Sequence, residues 1–396
     1  MVKILHTADL HLGAGSSIGG KKRVEDFIES FKRIVDLAIK EEVDLVLIAG
    51  DIFHTPRPSS TVFYAFAEQT KRLFEKNIKV VAVAGNHDVP RSLEDKSFLE
   101  ALAEYSDKMF IFIKRPRKVT IESKEGKKIS IVGIPYLNPI YFTLPDVRDE
   151  IGYRRKIRNT VKSLLEDTDA DYKILLGHLM TEWATFGSEK IFVGDKDIRI
   201  SNQDILAHEF DYVALGHVHK PQSRDNVYYA GSIERIDFSE AKEKKRVLIL
   251  SENYGKVVPT EYRIPVRAMV SAALAVKDPS KIMQDIYRIL LKVKNINDDY
   301  EILPPLLKLK LILKKGMNIN IKNIEDYIRD KVYCLKITTE YEIVKPSDIK
   351  LYSKEKPLHE LIKTYIKKLC ETSFDLKDLE EELTREALSI LEEVNT

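Results

Sequence analysis

The chain has 396 residues, of which 44% are hydrophobic and 32% charged. At about 100–200 residues per domain this length implies two or three modules, and the apolar content excludes a largely disordered chain. The 64 Lys and Arg residues stand against 62 Asp and Glu, a net charge of +2. That balance excludes a uniformly basic DNA-coating protein, so any polyanion has to meet local patches or bound metal. Two cysteines, Cys334 and Cys370, cannot build a disulfide framework, and a reducing cytoplasm is the expected compartment. No long apolar stretch opens the chain, and the longest one, Ala268 to Val276, is far short of the roughly 20 residues of a membrane span. No membrane association is expected.

In chain order, Val2–Ala8 is a short apolar strand running into Asp9. Phe27, Phe31, Ile34, Val35 and Ala38 follow at helical spacing. Asp44–Ala49 predicts a buried strand, Ser59–Lys76 a helix and Lys79–Ala84 another strand. Later strands are predicted at Ile129–Ile134, Tyr172–Gly177, Tyr212–Gly216 and Arg246–Leu250. Short apolar strands alternating with helices argue for an α/β fold of layered sheets covered by helices. A second module is expected from about residue 266 to 350. Asp278-Pro279 opens a helix there, Leu306–Leu313 alternates as a half-exposed strand, and Ile324–Ile328 and Tyr333–Thr338 add a helix and a strand. This is a small α+β domain, carrying 16 basic against 11 acidic residues. Residues 351–396 then form a linker and a helix-loop-helix. Leu358, Leu361, Ile362 and Tyr365 lie on the apolar face of its first helix, and Leu379, Leu383 and Leu391 on that of its second. Two short helices have little core of their own, so these faces are expected to dock on something else.

Five clusters carry chemistry: Asp9-Leu10-His11, Gly50-Asp51-Ile52-Phe53-His54, Gly85-Asn86-His87-Asp88, Gly177-His178 and Gly216-His217-Val218-His219. Seven of the nine histidines fall in these clusters or beside the first strand. Carboxylate, imidazole and amide oxygen together form the ligand set of divalent metals such as manganese or iron. Most of the clusters lie at predicted strand ends, where open α/β sheets bind ligands. In an extended segment residues i and i+2 point the same way, so Asp9 with His11, and His217 with His219, are expected to converge. Any one cluster could be an ordinary turn, since Gly, Asn and Asp are turn residues. All five in this order are not explained that way.

The series resembles the calcineurin-like metallophosphoesterase superfamily. His-Thr-Ala-Asp-Leu-His-Leu-Gly at 6–13, Gly-Asp-Ile-Phe-His at 50–54, Ala-Leu-Gly-His-Val-His at 214–219 and Gly-Ser-Ile-Glu-Arg-Ile-Asp-Phe at 231–238 narrow the resemblance to the SbcD-type repair nucleases. These work with an SMC-like ABC ATPase of the SbcC type. The resemblance is specific over residues 1–250. It implies a layered sandwich of two central sheets flanked by helices over 1–265, a capping, DNA-contacting domain over 266–350, and ATPase-docking helices in the tail.

It further implies two divalent metal ions per chain, expected to be Mn(II). Asp9, His11, Asp51 and His219 would hold one, and Asp51, Asn86, His178 and His217 the other, with Asp51 bridging. His87 would protonate the leaving group or donate to the phosphate, oriented by Asp88, and His54 would position DNA. Lys21, Lys22, Arg23, Arg57 and Arg91 are candidate phosphate contacts. Phe63, Leu102 and Tyr105 are candidates for a homodimer interface. The implied activity is cleavage of DNA ends, as a double-strand exonuclease and a single-strand or hairpin endonuclease, in a nucleoid-associated setting. A phosphodiesterase or nucleotidase on small substrates, and a DNA-end scaffold without catalysis, are the alternatives. His6, His208 and His359 are read as structural or surface residues, and Trp183 as a packing residue.

Overall fold

The computed structural model describes residues 2–15, 20–89, 96–138, 150–186, 198–253, 255–296, 298–314, 316–341, 357–372, 376 and 379–394. Strands β1 (Lys3–Thr7), β2 (Leu45–Ile48), β3 (Lys79–Val83) and β4 (Phe110–Ile113) pair in parallel. With β11 (Arg246–Asn253) and β12 (Lys256–Arg263) on the far side of β1 they complete a six-stranded sheet, order β12-β11-β1-β2-β3-β4. The second sheet has the order β5-β6-β7-β8-β10-β9. Its strands are β5 (Arg117–Glu122), β6 (Lys128–Ile134), β7 (Tyr172–His178), β8 (Tyr212–Gly216), β9 (Gln222–Arg224) and β10 (Val227–Tyr229).

The strand sequences dictate the layering. Every residue of Leu45–Ile48 is buried, and successive side chains face opposite sides. Leu45 and Leu47 enter a core shared with Ile129, Ile131, Ile174 and Leu176, which lies between the two sheets. Val46 and Ile48 face a second core under α1 (Lys21–Lys40), α2 (Ser60–Phe74) and α3 (Phe98–Tyr105). α1 buries Phe27, Phe31, Ile34, Val35 and Ala38 on one face, as their spacing predicts. Ser59 caps α2 by accepting the Val62 N–H, and Ser97 with Glu100 forms a capping box on α3. On the outer side of the second sheet, α4 (Glu150–Leu165) buries Tyr153, Ile157 and Val161. The result is helix, sheet, sheet, helix. Truncating a buried leucine such as Leu47 to alanine in such a core costs about 2–5 kcal/mol.

A three-stranded sheet, β13 (Val266–Ala275), β14 (Glu301–Leu313) and β15 (Cys334–Tyr341), carries α5 (Ile282–Lys294) and α6 (Ile321–Ile328) in the chain between its strands. The compact units do not follow the expected boundaries at 265 and 350. One comprises 1–274, 280–310 and 319–338, and the other 275–279, 311–318 and 339–396. The physical reason is that most of the small sheet is tied into the first unit. Arg235 bonds Glu301, Arg267 bonds Asp26, and the Tyr333 hydroxyl donates to the Lys22 carbonyl at 2.8 Å. In the other unit, α7 (Leu358–Thr372) and α8 (Glu380–Val394) pack along each other. Ile366 and Cys370 are buried, Leu361, Ile362, Tyr365, Leu383 and Leu391 are half-buried, and Leu358 and Leu379 are exposed. The expected linker that opens the 351–396 segment lies outside the described residues up to residue 356. Among the described residues, no helix is long and apolar enough to cross a membrane.

Candidate metal centre

The carboxyl ends of five parallel strands, three in one sheet and two in the other, deliver the five clusters to one place. Asp9 follows β1, Asp51 follows β2, and Asn86 and His87 follow β3. His178 ends β7, while His217 and His219 follow β8. The strand-end loops are zipped together by backbone bonds, Asp9 N–H to the Gly50 carbonyl at 3.0 Å and His11 N–H to the Asp51 carbonyl at 2.9 Å.

The means of convergence differs from the expected extended geometry. Asp9, His11, Asp51 and His217 have φ of 50°, 41°, 52° and 89°. Non-glycine residues in this left-handed region store strain that the surrounding structure must overcome, and such residues concentrate at functional sites. The turns separate the members of the last pair. The His219 Nε2 lies 3.0 Å from the His11 Nε2, whereas the His217 Nδ1 lies 3.2 Å from the His178 Nε2. Asn86 joins the latter set, its Oδ1 3.1 Å from the His178 Nε2. Between the two sets stands Asp51, whose Oδ2 is 3.6 Å from the His11 Nε2 and 3.5 Å from the His178 Nε2. Glycine at 85 lets the β3 loop approach Asp51, since a methyl group there would run into the Asp51 carboxylate and its backbone nitrogen.

Burial and charge shape these donors. The His178 Nδ1–H donates to the Ala49 carbonyl at 2.8 Å, which leaves Nε2 directed at the centre. Burial opposes charge on His178, but Asp51 and Asp9 outweigh it and raise the imidazole to about 9. Burial pulls His11 well below its ordinary value, against the pull of Asp51. Burial would raise Asp51, yet His178, His11 and His87 hold it well below the usual carboxylate range. Asp9 is raised, first by burial. Two imidazole nitrogens facing each other at 3.0 Å beside two buried carboxylates form a set whose lone pairs call for a cation, and the residues fit divalent metal.

His87 lies at the open side, half-buried, with the Asp51 Oδ1 accepting its backbone N–H at 2.9 Å. Its Nδ1 meets the His54 carbonyl oxygen at 2.8 Å, and its ring stacks on that of His54 at 5.5 Å. Asp88 does not have the orienting role expected for it. Its two oxygens accept the backbone N–H groups of Phe53 (3.1 Å) and Gly85 (2.9 Å), so it staples the β2 and β3 loops together. Burial and then the Asp51 charge push its carboxyl up to about 6.

The Calcineurin-like phosphoesterase model matches residues 2–221. The chain belongs to the calcineurin-like phosphoesterase family. Within this family, it is 28% identical over 335 residues to the SbcD component of the SbcCD nuclease of Staphylococcus epidermidis, covering 78% of this chain and 83% of that one. Among solved structures, a dimetal phosphatase from Danio rerio aligns with 12% identity and a TM-score of 0.40, covering 66% of this chain and 96% of the other. A protein-tyrosine phosphatase of a Shewanella species aligns with 12% identity and a TM-score of 0.28, covering 66% and 80%.

The remaining candidates of this phosphoesterase separate clearly. Lys21, Lys22 and Arg57 are exposed, and Arg91 lies outside the described residues. Arg23 is a correction: it is fully buried, paired with Asp26 at 2.8 Å and Glu234 at 3.2 Å, so it cannot meet DNA. Of the dimer candidates, Phe63 and Leu102 pack against the core under α2 and α3, while Tyr105 is 87% exposed. His6 is buried with its Nδ1 3.0 Å from the Tyr212 hydroxyl, Trp183 donates to Asn202, and His208 and His359 are exposed. Two residues escaped the sequence reading. Glu240 and Lys245 are fully buried beside His219, although they lie in a charged run that looks like solvated surface.

Proposed function

We propose that this phosphoesterase is a two-metal DNA nuclease that cleaves DNA ends as the partner of an SMC-like ABC ATPase of the SbcC type. The observation that carries the reading is the position of the Asp51 carboxylate between two donor sets, one around the buried His11 and His219 and the other around the buried His178 and His217 with the exposed Asn86. Asp9, His11, Asp51 and His219 would hold one divalent ion, and Asp51, Asn86, His178 and His217 the other, with manganese the candidate metal. When bound, such ions supply Lewis acidity toward a phosphate diester and toward water. The chain's own residues supply the rest. Anchored at Nδ1 by the His54 carbonyl, His87 has its Nε2 free to protonate or bond the departing oxygen, and the stacked His54 ring holds it upright. Lys21, Lys22 and Arg57 on the surface are available to backbone phosphates. The likeness to the SbcD component of an SbcCD nuclease over most of the chain supports DNA as the substrate class, and supports docking of the tail helices on an ATPase. A homodimer through the α2 and α3 region, where Tyr64 and Tyr105 are exposed, and a cytoplasmic, nucleoid-associated location belong to the same reading.

The test compares wild type and Asp51→Asn on blunt duplexes, hairpins and single strands in manganese, magnesium and chelator. Cleavage is expected in manganese only for wild type. Undiminished cleavage in chelator, or turnover of free nucleotides with intact DNA, overturns the proposal.

A further inference from the structure

A buried charged network stands behind His219. The Glu240 Oε1 lies 3.3 Å from the His219 Nδ1. The Lys245 Nζ donates to the Glu240 Oε2 at 2.7 Å, the Glu243 Oε2 at 2.8 Å, the Ser232 Oγ at 2.8 Å and the His219 carbonyl at 3.2 Å. The Ile236 N–H adds a bond to the Glu240 Oε2 at 3.2 Å. Glu240 and Lys245 are both fully buried. A carboxylate and an ammonium taken out of water cost several kcal/mol each unless their partners are well placed, and here both are met by several polar groups.

An imidazole presents a lone pair at one nitrogen only when the other carries the proton. A carboxylate at Nδ1 keeps the proton there and frees Nε2, which in this chain faces the His11 Nε2. His178 is arranged in the same way by a different acceptor, the Ala49 carbonyl. We propose that Glu240, itself held by Lys245, is a positioning residue that fixes the Nδ1–H form and the ring angle of His219 for one of the two ion sites. The inference rests on the metal-centre reading above. Outer carboxylate partners of metal-bound histidine orient the ring and raise its basicity, and their loss typically costs 10–100-fold in metal affinity.

The experiment is a calorimetric titration of the metal-freed full-length chain with MnCl2, comparing wild type, Glu240→Gln, His219→Gln and Asn86→Ala. Wild type is expected to bind two ions. Glu240→Gln is expected to weaken one site about 10–100-fold, the same site that His219→Gln removes, and to spare the site that Asn86→Ala weakens. Should the single variant fail to fold, Glu240→Gln/Lys245→Met removes both charges together and carries the same expectation. Imidazole nitrogen shifts of wild type without metal give a second readout, with the His219 signal assigned from its loss in His219→Gln. Protonation at Nδ1 is expected, and protonation at Nε2 overturns the proposal. An unchanged titration, or equal weakening of both sites, also overturns it. Failure of wild type to bind two ions would instead sink the metal-centre reading.

Discussion

Arg235 and Glu301 meet through two parallel bonds, Nη1 to Oε2 at 2.7 Å and Nη2 to Oε1 at 2.6 Å. The arginine is 2% exposed, and its Nε and Nη2 also donate to the Glu243 carbonyl. Glu301 opens β14, so this one pair joins the sequence after β10 to the small three-stranded sheet. Removing one partner leaves a buried charge uncompensated, which is far costlier than losing an exposed pair. Glu301→Ala is therefore expected to destabilise the chain by about 3 kcal/mol. Glu301→Gln, which keeps an acceptor, should cost less. Urea denaturation at neutral pH measures both, and a Glu301→Ala midpoint equal to wild type rejects the argument.

In the proposed mechanism His87 acts on the substrate without holding metal, although it stands close enough to His11 and His54 to share an ion with them. Its Nδ1 is engaged by the His54 carbonyl, and no donor that it offers is needed to complete either ion set. His87→Asn is expected to lower kcat about 10²–10⁴-fold, the usual contribution of a general acid. Manganese binding should persist at two ions per chain. Cleavage kinetics and calorimetry on the same preparation separate the two effects. Lost metal binding would make His87 a ligand instead.

How much of this was legible follows from which forces each residue answers to. The strands that carry the site read directly, because parallel strands buried on both faces must be continuous apolar runs, as Leu45–Ile48 is. The donors at their ends read because they break those runs abruptly. Strands β5, β9 and β12 did not read, since they lie at sheet edges with mixed burial, and their pairing rather than their composition makes them strands. Arg23 looked like a surface cation among Lys21 and Lys22. Its partner Glu234 is more than 200 positions away in the chain, and no local pattern announces such a pair. Glu240 and Lys245 were hidden for a different reason: their partners are near in the chain, but they lie in a charged run that looks like solvated surface. Asp88 followed the motif but not the role, because backbone N–H groups of two loops claimed its oxygens first.

Gly85 offers a test of how tightly the centre is built. A methyl group at this position would overlap the Asp51 carboxylate and its backbone nitrogen, and neither belongs to a flexible chain end that could step aside. Gly85→Ala should therefore displace Asp51 while leaving the sheets in place. A displacement of about 1 Å can cost 10²-fold in rate. The variant is expected to fold, to bind fewer than two manganese ions and to lose at least about 10²-fold in cleavage. Wild-type stoichiometry and rate would mean that the loop relaxes without disturbing Asp51.

His6 makes stability depend on pH apart from the metal centre. Burial, with a further contribution from Arg246, lowers its imidazole to about 3, while the unfolded chain titrates near 6.5. Between those values the unfolded state binds a proton that the folded state refuses, so stability falls as pH falls. The contribution is complete above about 6.5 and is lost progressively on acidification, at up to about 1.4 kcal/mol per pH unit. Other buried groups titrate in the same window, so the informative quantity is a difference between variants. His6→Gln keeps a polar partner for the Tyr212 hydroxyl and has nothing to protonate. The loss of stability between pH 7 and pH 5 should be about 2 kcal/mol smaller in His6→Gln than in wild type. Urea denaturation of both proteins at the two pH values measures it, and equal losses would show that His6 takes up its proton in the folded state.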